Sequence, residues 1–253
     1  MKLPTAIIAA VLAAAPACKK REDKPPAPTT ESAAASATGP ASDAKDPTAP
    51  ASPPETSTPP PKTSVPPLPQ ITKWELDPEN SSVTFVCKHS GFTNVRGMFQ
   101  RPSGTVLLDD ATPTNSKINA TIEVKLITTG VEERDTHLKS PDFFDAAQYP
   151  SITFASTSLT RSSATSYSVT GDLTMHGTTK PVTLAVTASP PFEHFGSIRR
   201  GIEATTSIKR TDFGVGVAAW NTPGEDGTLV VADTVAITID AELVLQADPK
   251  QGG

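Results

Sequence analysis

Beyond Trp74, apolar and polar residues alternate with a period of two along much of the chain. Ile118, Ala120, Ile122, Val124 and Leu126 are separated by Asn119, Thr121, Glu123 and Lys125. Val235, Ile237, Ile239, Ala241, Leu243 and Leu245 alternate with Ala236, Thr238, Asp240, Glu242 and Val244. Successive side chains of a strand point to opposite faces, so each run has one face for a core and one for water. Shorter runs of this kind cover 82–87, 104–108, 151–158, 166–174, 182–188 and 202–209. Together they predict about eight antiparallel strands. A single stretch reads as helical: Glu132 to Leu138, followed by Pro141 and Phe143-Phe144-Asp145, is a short helix or turn. An all-β domain of this kind is a sandwich or a closed barrel. Closure removes the free sheet edges that invite aggregation, and a barrel of about eight strands can hold one small ligand.

The alternation is absent before residue 71. Met1-Lys2 is a minimal positive start, and Ile7 to Ala15 is a short apolar run. It is too short for a bilayer, which needs about 20 apolar residues, and suits the core of an export signal. Ala15-Pro16-Ala17 supplies the small-x-small cleavage pattern, and Cys18 follows directly. A cysteine there resembles a bacterial lipobox, whose thiol is acylated after cleavage. Of the 26 prolines in the chain, 14 fall between Pro25 and Pro69, in a stretch of Ala, Ser, Thr and charged residues without an aromatic. Such a segment cannot bury enough apolar surface to offset its ordering entropy, and its proline runs stiffen it toward polyproline II. The expected organisation is a signal peptide over 1–17, a lipidated Cys18 with a disordered tether over 18–70, and a β domain over 71–248. The protein is then exported, periplasmic or anchored in the outer membrane by its lipid.

A net charge of −5 with no basic stripe argues against nucleic acid. Cys18 and Cys87 are the two cysteines. A disulfide between them is conceivable in an oxidising compartment, but the more economical reading leaves each solitary. The four histidines, His89, His137, His176 and His194, show no metal-ligand spacing. No Gly-x-Ser-x-Gly elbow is present, so neither a metal site nor a catalytic residue is expected.

Several segments, in order, resemble the YceI-like family of exported polyisoprenoid-binding proteins. They are Trp74-Glu75-Leu76-Asp77, Ser81-Ser82-Val83-Thr84-Phe85, Lys88-His89-Ser90-Gly91-Phe92 and Val95-Arg96-Gly97-Met98-Phe99. Further on come Arg134-Asp135-Thr136-His137-Leu138, Asp142-Phe143-Phe144-Asp145, Tyr149-Pro150-Ser151-Ile152-Thr153-Phe154, the run from Val169 to Val182, and Lys209-Arg210-Thr211-Asp212-Phe213-Gly214. The blocks extend over roughly 73–245. Asn80 and His176 depart from the family pattern, the second placing a polar group where an apolar one is common. The resemblance implies an antiparallel lipocalin-like barrel that encloses an isoprenoid lipid, a quinone or a polyprenyl lipid, with no other cofactor. It leaves a homodimer open and adds the membrane as a partner through the lipid anchor.

The ligand-binding candidates that follow are Phe92, Phe99, Phe143, Phe144, Phe154 and Phe213 for the tail. For a polar head they are His89, Arg96, Arg134, His137 and Arg210. A guanidinium fork suits a phosphate, a pyrophosphate or a quinone oxygen. Each aromatic has an alternative role in a packed core, and Arg134-Asp135 and Arg210-Thr211-Asp212 have one as loop locks. Three functions stay open: an isoprenoid carrier, an adhesion or scaffold module with a solid interior, and a lipid-modifying enzyme. A carrier gains from the roughly 0.8 kcal/mol that each CH₂ releases on leaving water.

Overall fold

A computed structural model describes residue 65 and residues 67–247. The signal, Cys18 and nearly all of the tether lie outside the described residues. In chain order the strands are β1 (Ile71–Leu76), β2 (Ser82–His89), β3 (Thr93–Gln100), β4 (Ser103–Asp109), β5 (Lys117–Glu123), β6 (Ile127–Thr128), β7 (Ser151–Arg161), β8 (Ser166–Met175), β9 (Thr178–Ala188), β10 (Phe192–His194), β11 (Ser197–Lys209) and β12 (Val231–Leu245). Two helices interrupt them, α1 (Glu132–Lys139) and α2 (Ala218–Asn221).

These twelve segments make eight staves, because four consecutive pairs each share neighbours. Both β1 and β2 lie along β12, with Leu76 opposite Leu243 and Ser82 opposite Asp240, and residues 77–81 loop out between them. In the same way β3 and β4 lie along β2 and β1, β5 and β6 along β4 and β3, and β9 and β10 along β11. Every stave is antiparallel to the next in sequence, and β12 pairs back onto β1 and β2. The result is an up-and-down barrel closed on itself, the eight-strand architecture that the alternation predicts.

Tight turns are set by residues that accept positive φ. His176 (φ 50°) and Gly177 (φ 72°) join β8 to β9 between the paired residues Met175 and Thr178. Two such residues in succession make a turn whose twist matches the flanking strands. His176 therefore sits at a hairpin tip, its ring 4.5 Å from Tyr149, and not inside the barrel.

The strand predictions differ from the structure in instructive places. The alternation of 118–126 ends at Glu123, because Val124–Leu126 forms a 3₁₀ turn and the Val124 N–H donates to the Pro150 carbonyl (2.9 Å). That kink swings the chain from β5 to β6. In β7 a register shift between Ser156 and Ser158 moves the inward set from Ile152 and Phe154 to Leu159. Strands β1, β3, β6 and β10 and the single-turn α2 were not predicted.

Candidate functional site

Alternation carries one side of each stave into a common interior. On β11 the inward residues are Arg200, Ile202, Ala204, Thr206 and Ile208, and Arg210 follows in the 3₁₀ turn at its end. On β12 they include Val235, Ile237, Ile239, Ala241 and Leu243. Their neighbours Glu203, Thr205, Asp240 and Glu242 face outward. The interior is not solid: it holds a cavity of about 290 Å³, at the lower edge of the roughly 300–1,000 Å³ usual for small-molecule sites. Its wall is almost wholly aliphatic and aromatic. The charged or hydroxyl-bearing exceptions are Arg200, Arg210, Thr153, Thr206 and the Tyr167 phenol.

One end of the barrel is built around Trp74, Val106, Leu108 and Leu243, with Leu68 packed against them. The Trp74 indole N–H donates to the buried Thr72 hydroxyl (2.8 Å). At the other end Leu138 of α1, Phe143 and Phe144 close over the cavity, and Phe99 meets Phe144 edge-on at 5.6 Å.

Of the residues singled out from the sequence, Phe99, Phe143, Phe144, Phe154 and Arg210 line the cavity. Phe213 is buried in the core cluster beside it. The others lie elsewhere. Phe92 is 75% exposed at the β2–β3 turn, where Ser90 and Gly91 (φ 48° and 75°) carry it away from the barrel. His89 and Arg96 are exposed and off the cavity wall. Arg134 donates through Nε to the Thr129 hydroxyl (2.7 Å) and through Nη2 to the Thr129 carbonyl (3.1 Å). Its neighbour Asp135 accepts from the Thr129 N–H and hydroxyl (2.7 and 2.5 Å). This pair locks the loop between β6 and α1. The Asp135 carboxyl lies below its ordinary pKa; burial works the other way, and the bonds from Thr129 outweigh it. His137 pairs with Asp142 (2.9 Å) and meets Phe143 and Trp220 edge-on at 5.1 and 5.4 Å. It supports the end cover from outside the cavity.

Arg210 reaches the wall but offers nothing to a ligand. Its Nε donates to Ala232 O, its Nη1 to Val215 O and Asn221 Oδ1, and its Nη2 to Trp220 O and Val231 O, at 2.7–3.0 Å. A guanidinium has five N–H donors, and all five are used. Burial lowers its pKa from the usual arginine value. Its role is to pin the segment 215–232 to the end of β11.

The sequence reading missed Arg200 and Trp74 on the wall. Arg200 shows only as half of an Arg-Arg pair, but carrying the alternation of 202–209 back by two residues places it inside. Cys87 also lines the cavity as a free, buried thiol. Among the described residues no group of three or more His, Cys, Asp or Glu could hold a metal ion, and no helix is long and apolar enough to cross a membrane.

A family model described as the YceI-like domain matches residues 74–243. Protein YceI of Escherichia coli O157:H7 is 38% identical over 144 residues, 56% of this chain and 75% of its own. A UPF0312 protein of Pseudomonas syringae pv. tomato is 36% identical over 138 residues, 54% of this chain and 72% of its own. Among solved structures, BcnA of Burkholderia cenocepacia superposes with a TM-score of 0.58 at 28% identity, covering 66% of this chain and 98% of its own. A polyisoprenoid binding domain from Saccharophagus degradans shares the fold at TM-score 0.50 and 17% identity, covering 68% of this chain and 98% of its own.

Proposed function

The chain belongs to the YceI-like family, and from that premise we propose that it binds and carries a long isoprenoid lipid, of quinone or polyprenyl type, without transforming it. One observation carries this reading: a closed barrel holds an apolar cavity where a solid core would otherwise form. Apolar chains gain about 0.8 kcal/mol per CH₂ buried, so such an interior favours a long tail over a compact polar molecule. A scaffold module has no use for a hollow core. A hydrolase or isomerase acting on the lipid by such chemistry needs a nucleophile, a base and an oxyanion donor brought together, and this wall is overwhelmingly apolar. The likeness to the Saccharophagus domain supports the fold alone.

The same reading places the protein in the cell envelope, acylated at Cys18 and held by the segment 18–70 within reach of membrane lipids. Labelling of the wild type but not of Cys18→Ser by an alkyne fatty acid in cells is the expected result; equal labelling contradicts the anchor.

Binding is tested by calorimetric titration of the purified protein with geranylgeraniol. Ala204 is 2% exposed and lies midway along the inner face of β11. Ala204→Trp fills the barrel, so it is expected to lower affinity at least about tenfold, a loss of roughly 1.4 kcal/mol, while the β-sheet circular dichroism is kept. Unchanged affinity in a folded Ala204→Trp variant contradicts binding inside the barrel.

A further inference from the structure

The ladder between β9 and β11 is incomplete. It runs from Ile202 opposite Ala188 to Thr205 opposite Ala185 and stops there. Both strands continue, β9 back to Thr178 and β11 on to Lys209. In that stretch β9 stays paired with β8, and β11 with β12. The barrel wall therefore opens along a seam that leads to the end covered by α1.

The sequence explains where the ladder stops. Backbone groups alternate sides along a strand. The Ser189 N–H donates to the Gly201 carbonyl (2.8 Å), and the Thr183 carbonyl accepts from the Thr206 hydroxyl (2.9 Å). Odd-numbered residues of β9 thus turn their backbone toward β11. Pro181 is one of them and has no N–H to give. The register carried past Thr205 sets Thr183 opposite Ser207 and Pro181 opposite Lys209. Proline belongs in a strand where one neighbour is missing. Beyond the last backbone pair, the Thr206 side chain stitches the seam.

Outside the seam lies a groove of about 440 Å³. Val182, Thr206 and Ile208 line both this groove and the inner chamber, so one layer of side chains separates the two. Phe213 also touches the groove, yet it is 2% exposed and belongs to the core cluster. It is carried by the 3₁₀ turn Arg210–Phe213. That turn is fastened toward β12. The Thr211 N–H and hydroxyl donate to the Asp233 carboxylate (3.1 and 2.6 Å), and Arg210 donates to the Val231 and Ala232 carbonyls. Among the described residues none of its hydrogen bonds reaches β9, which it meets by packing alone.

We propose that the lipid tail enters and leaves the barrel sideways, through the seam between β9 and β11, with the Thr206–Thr183 bond as its latch and Phe213 as its plug. This rests on the carrier reading and adds the route. Both ends of the chamber are held more firmly. One is packed around Trp74, Val106, Leu108 and Leu243. At the other, Leu138, Phe143 and Phe144 close the chamber, beside a segment that Arg210 pins with five donors. Parting β11 from β12, or β8 from β9, would break a ladder running nearly the length of both strands. Parting β9 from β11 below Thr205 breaks one side-chain hydrogen bond and shifts one ring.

The test is the rate at which purified protein takes up tritiated geranylgeraniol, with bound and free probe separated by rapid gel filtration. Thr183→Cys and Ser207→Cys place two outward-facing thiols across the seam. Their disulfide is expected to slow uptake at least about tenfold, to leave the equilibrium affinity within about twofold because entry and exit share one route, and to release the block on reduction. As a control, Thr174 and Thr179 face each other across β8 and β9 (2.8 Å between hydroxyls). A disulfide from Thr174→Cys and Thr179→Cys should leave the rate within about twofold. Thr206→Val, which needs no disulfide to form, removes the latch and should quicken uptake at least about threefold. Uptake that ignores the seam disulfide, is slowed equally by the control, stays slow after reduction, or is unchanged in Thr206→Val overturns the sideways route and leaves carriage intact. Wild-type protein that takes up no geranylgeraniol overturns the carrier reading, and the route falls with it.

Discussion

At the scale of single residues, the sharpest contrast is between buried groups with partners and those without. Arg210 satisfies four carbonyls and an amide oxygen that would otherwise be left unpaired. Leaving buried acceptors unmet costs about 1–3 kcal/mol each before water relieves some of them. Arg210→Met is therefore expected to destabilise the fold by about 2–4 kcal/mol in urea unfolding. Arg210→Lys should recover little, since three donors on a flexible stem cannot replace a rigid five-donor fork. A loss below about 1 kcal/mol for both contradicts the pinning role. Cys87 makes a second prediction. Burial pushes its thiol pKa up, against the opposing charge of Arg210, and its Sγ lies 3.4 Å from the Ala232 carbonyl. A thiol that stays protonated and covered reacts slowly. Modification by a maleimide should be at least about a hundredfold slower in native protein than in urea, and comparable rates would contradict the burial.

At the scale of elements, the staves hold their spacing through glycines where aromatic rings cross the sheet. A Cβ on Gly171 would lie 2.4 Å from Phe154 Cζ and 2.6 Å from the Ala155 carbonyl oxygen. Gly171→Ala should thus cost about 1–3 kcal/mol by overpacking and push the Phe154 ring off its place on the cavity wall. Urea unfolding and a geranylgeraniol titration check both effects, and a neutral result contradicts the close approach. The lock between β6 and α1 has a pH signature. The depressed Asp135 pKa means that its contribution is complete above the unfolded carboxyl value, near 4, and is lost as pH falls through the lower folded value. Asp135→Asn should therefore destabilise the protein at about pH 6 and much less at about pH 2. An equal effect at both would show that the carboxylate charge is not what matters.

Which elements were legible from the sequence follows from the same packing. β12 and β11 announce themselves because one face is continuously apolar and the other polar. β3 does not: its inward positions are Val95, Gly97 and Phe99, and Gly97 is small because the Phe85 ring occupies the space its Cβ would need (2.3 Å to Cζ). The bulge in β7 and the kink at Val124 break the period through backbone geometry, which composition does not encode. For the site, the aromatics at the covered end could be found from the family-like motifs. Arg96 and Arg134 share those motifs but serve the surface and a loop. Arg200 lies outside every motif, and its contact with the Trp74 ring, 5.7 Å to the centroid, joins residues far apart in sequence that only the folded structure brings together.

At the scale of the whole molecule, eight antiparallel staves close a sheet around an apolar chamber, leaving polar residues to face water. In the proposed account, acylation at Cys18 after export gives the carrier its access to a membrane. Carriage requires that the chamber leave the cell occupied, or be readily filled. The most direct test is mass spectrometry of the organic extract from protein purified out of its native envelope under non-denaturing conditions. The account predicts a prenyl lipid near one per barrel, removed by solvent extraction and restored by adding the lipid back. An extract without prenyl lipid, from a barrel that also takes up none on titration, would contradict it.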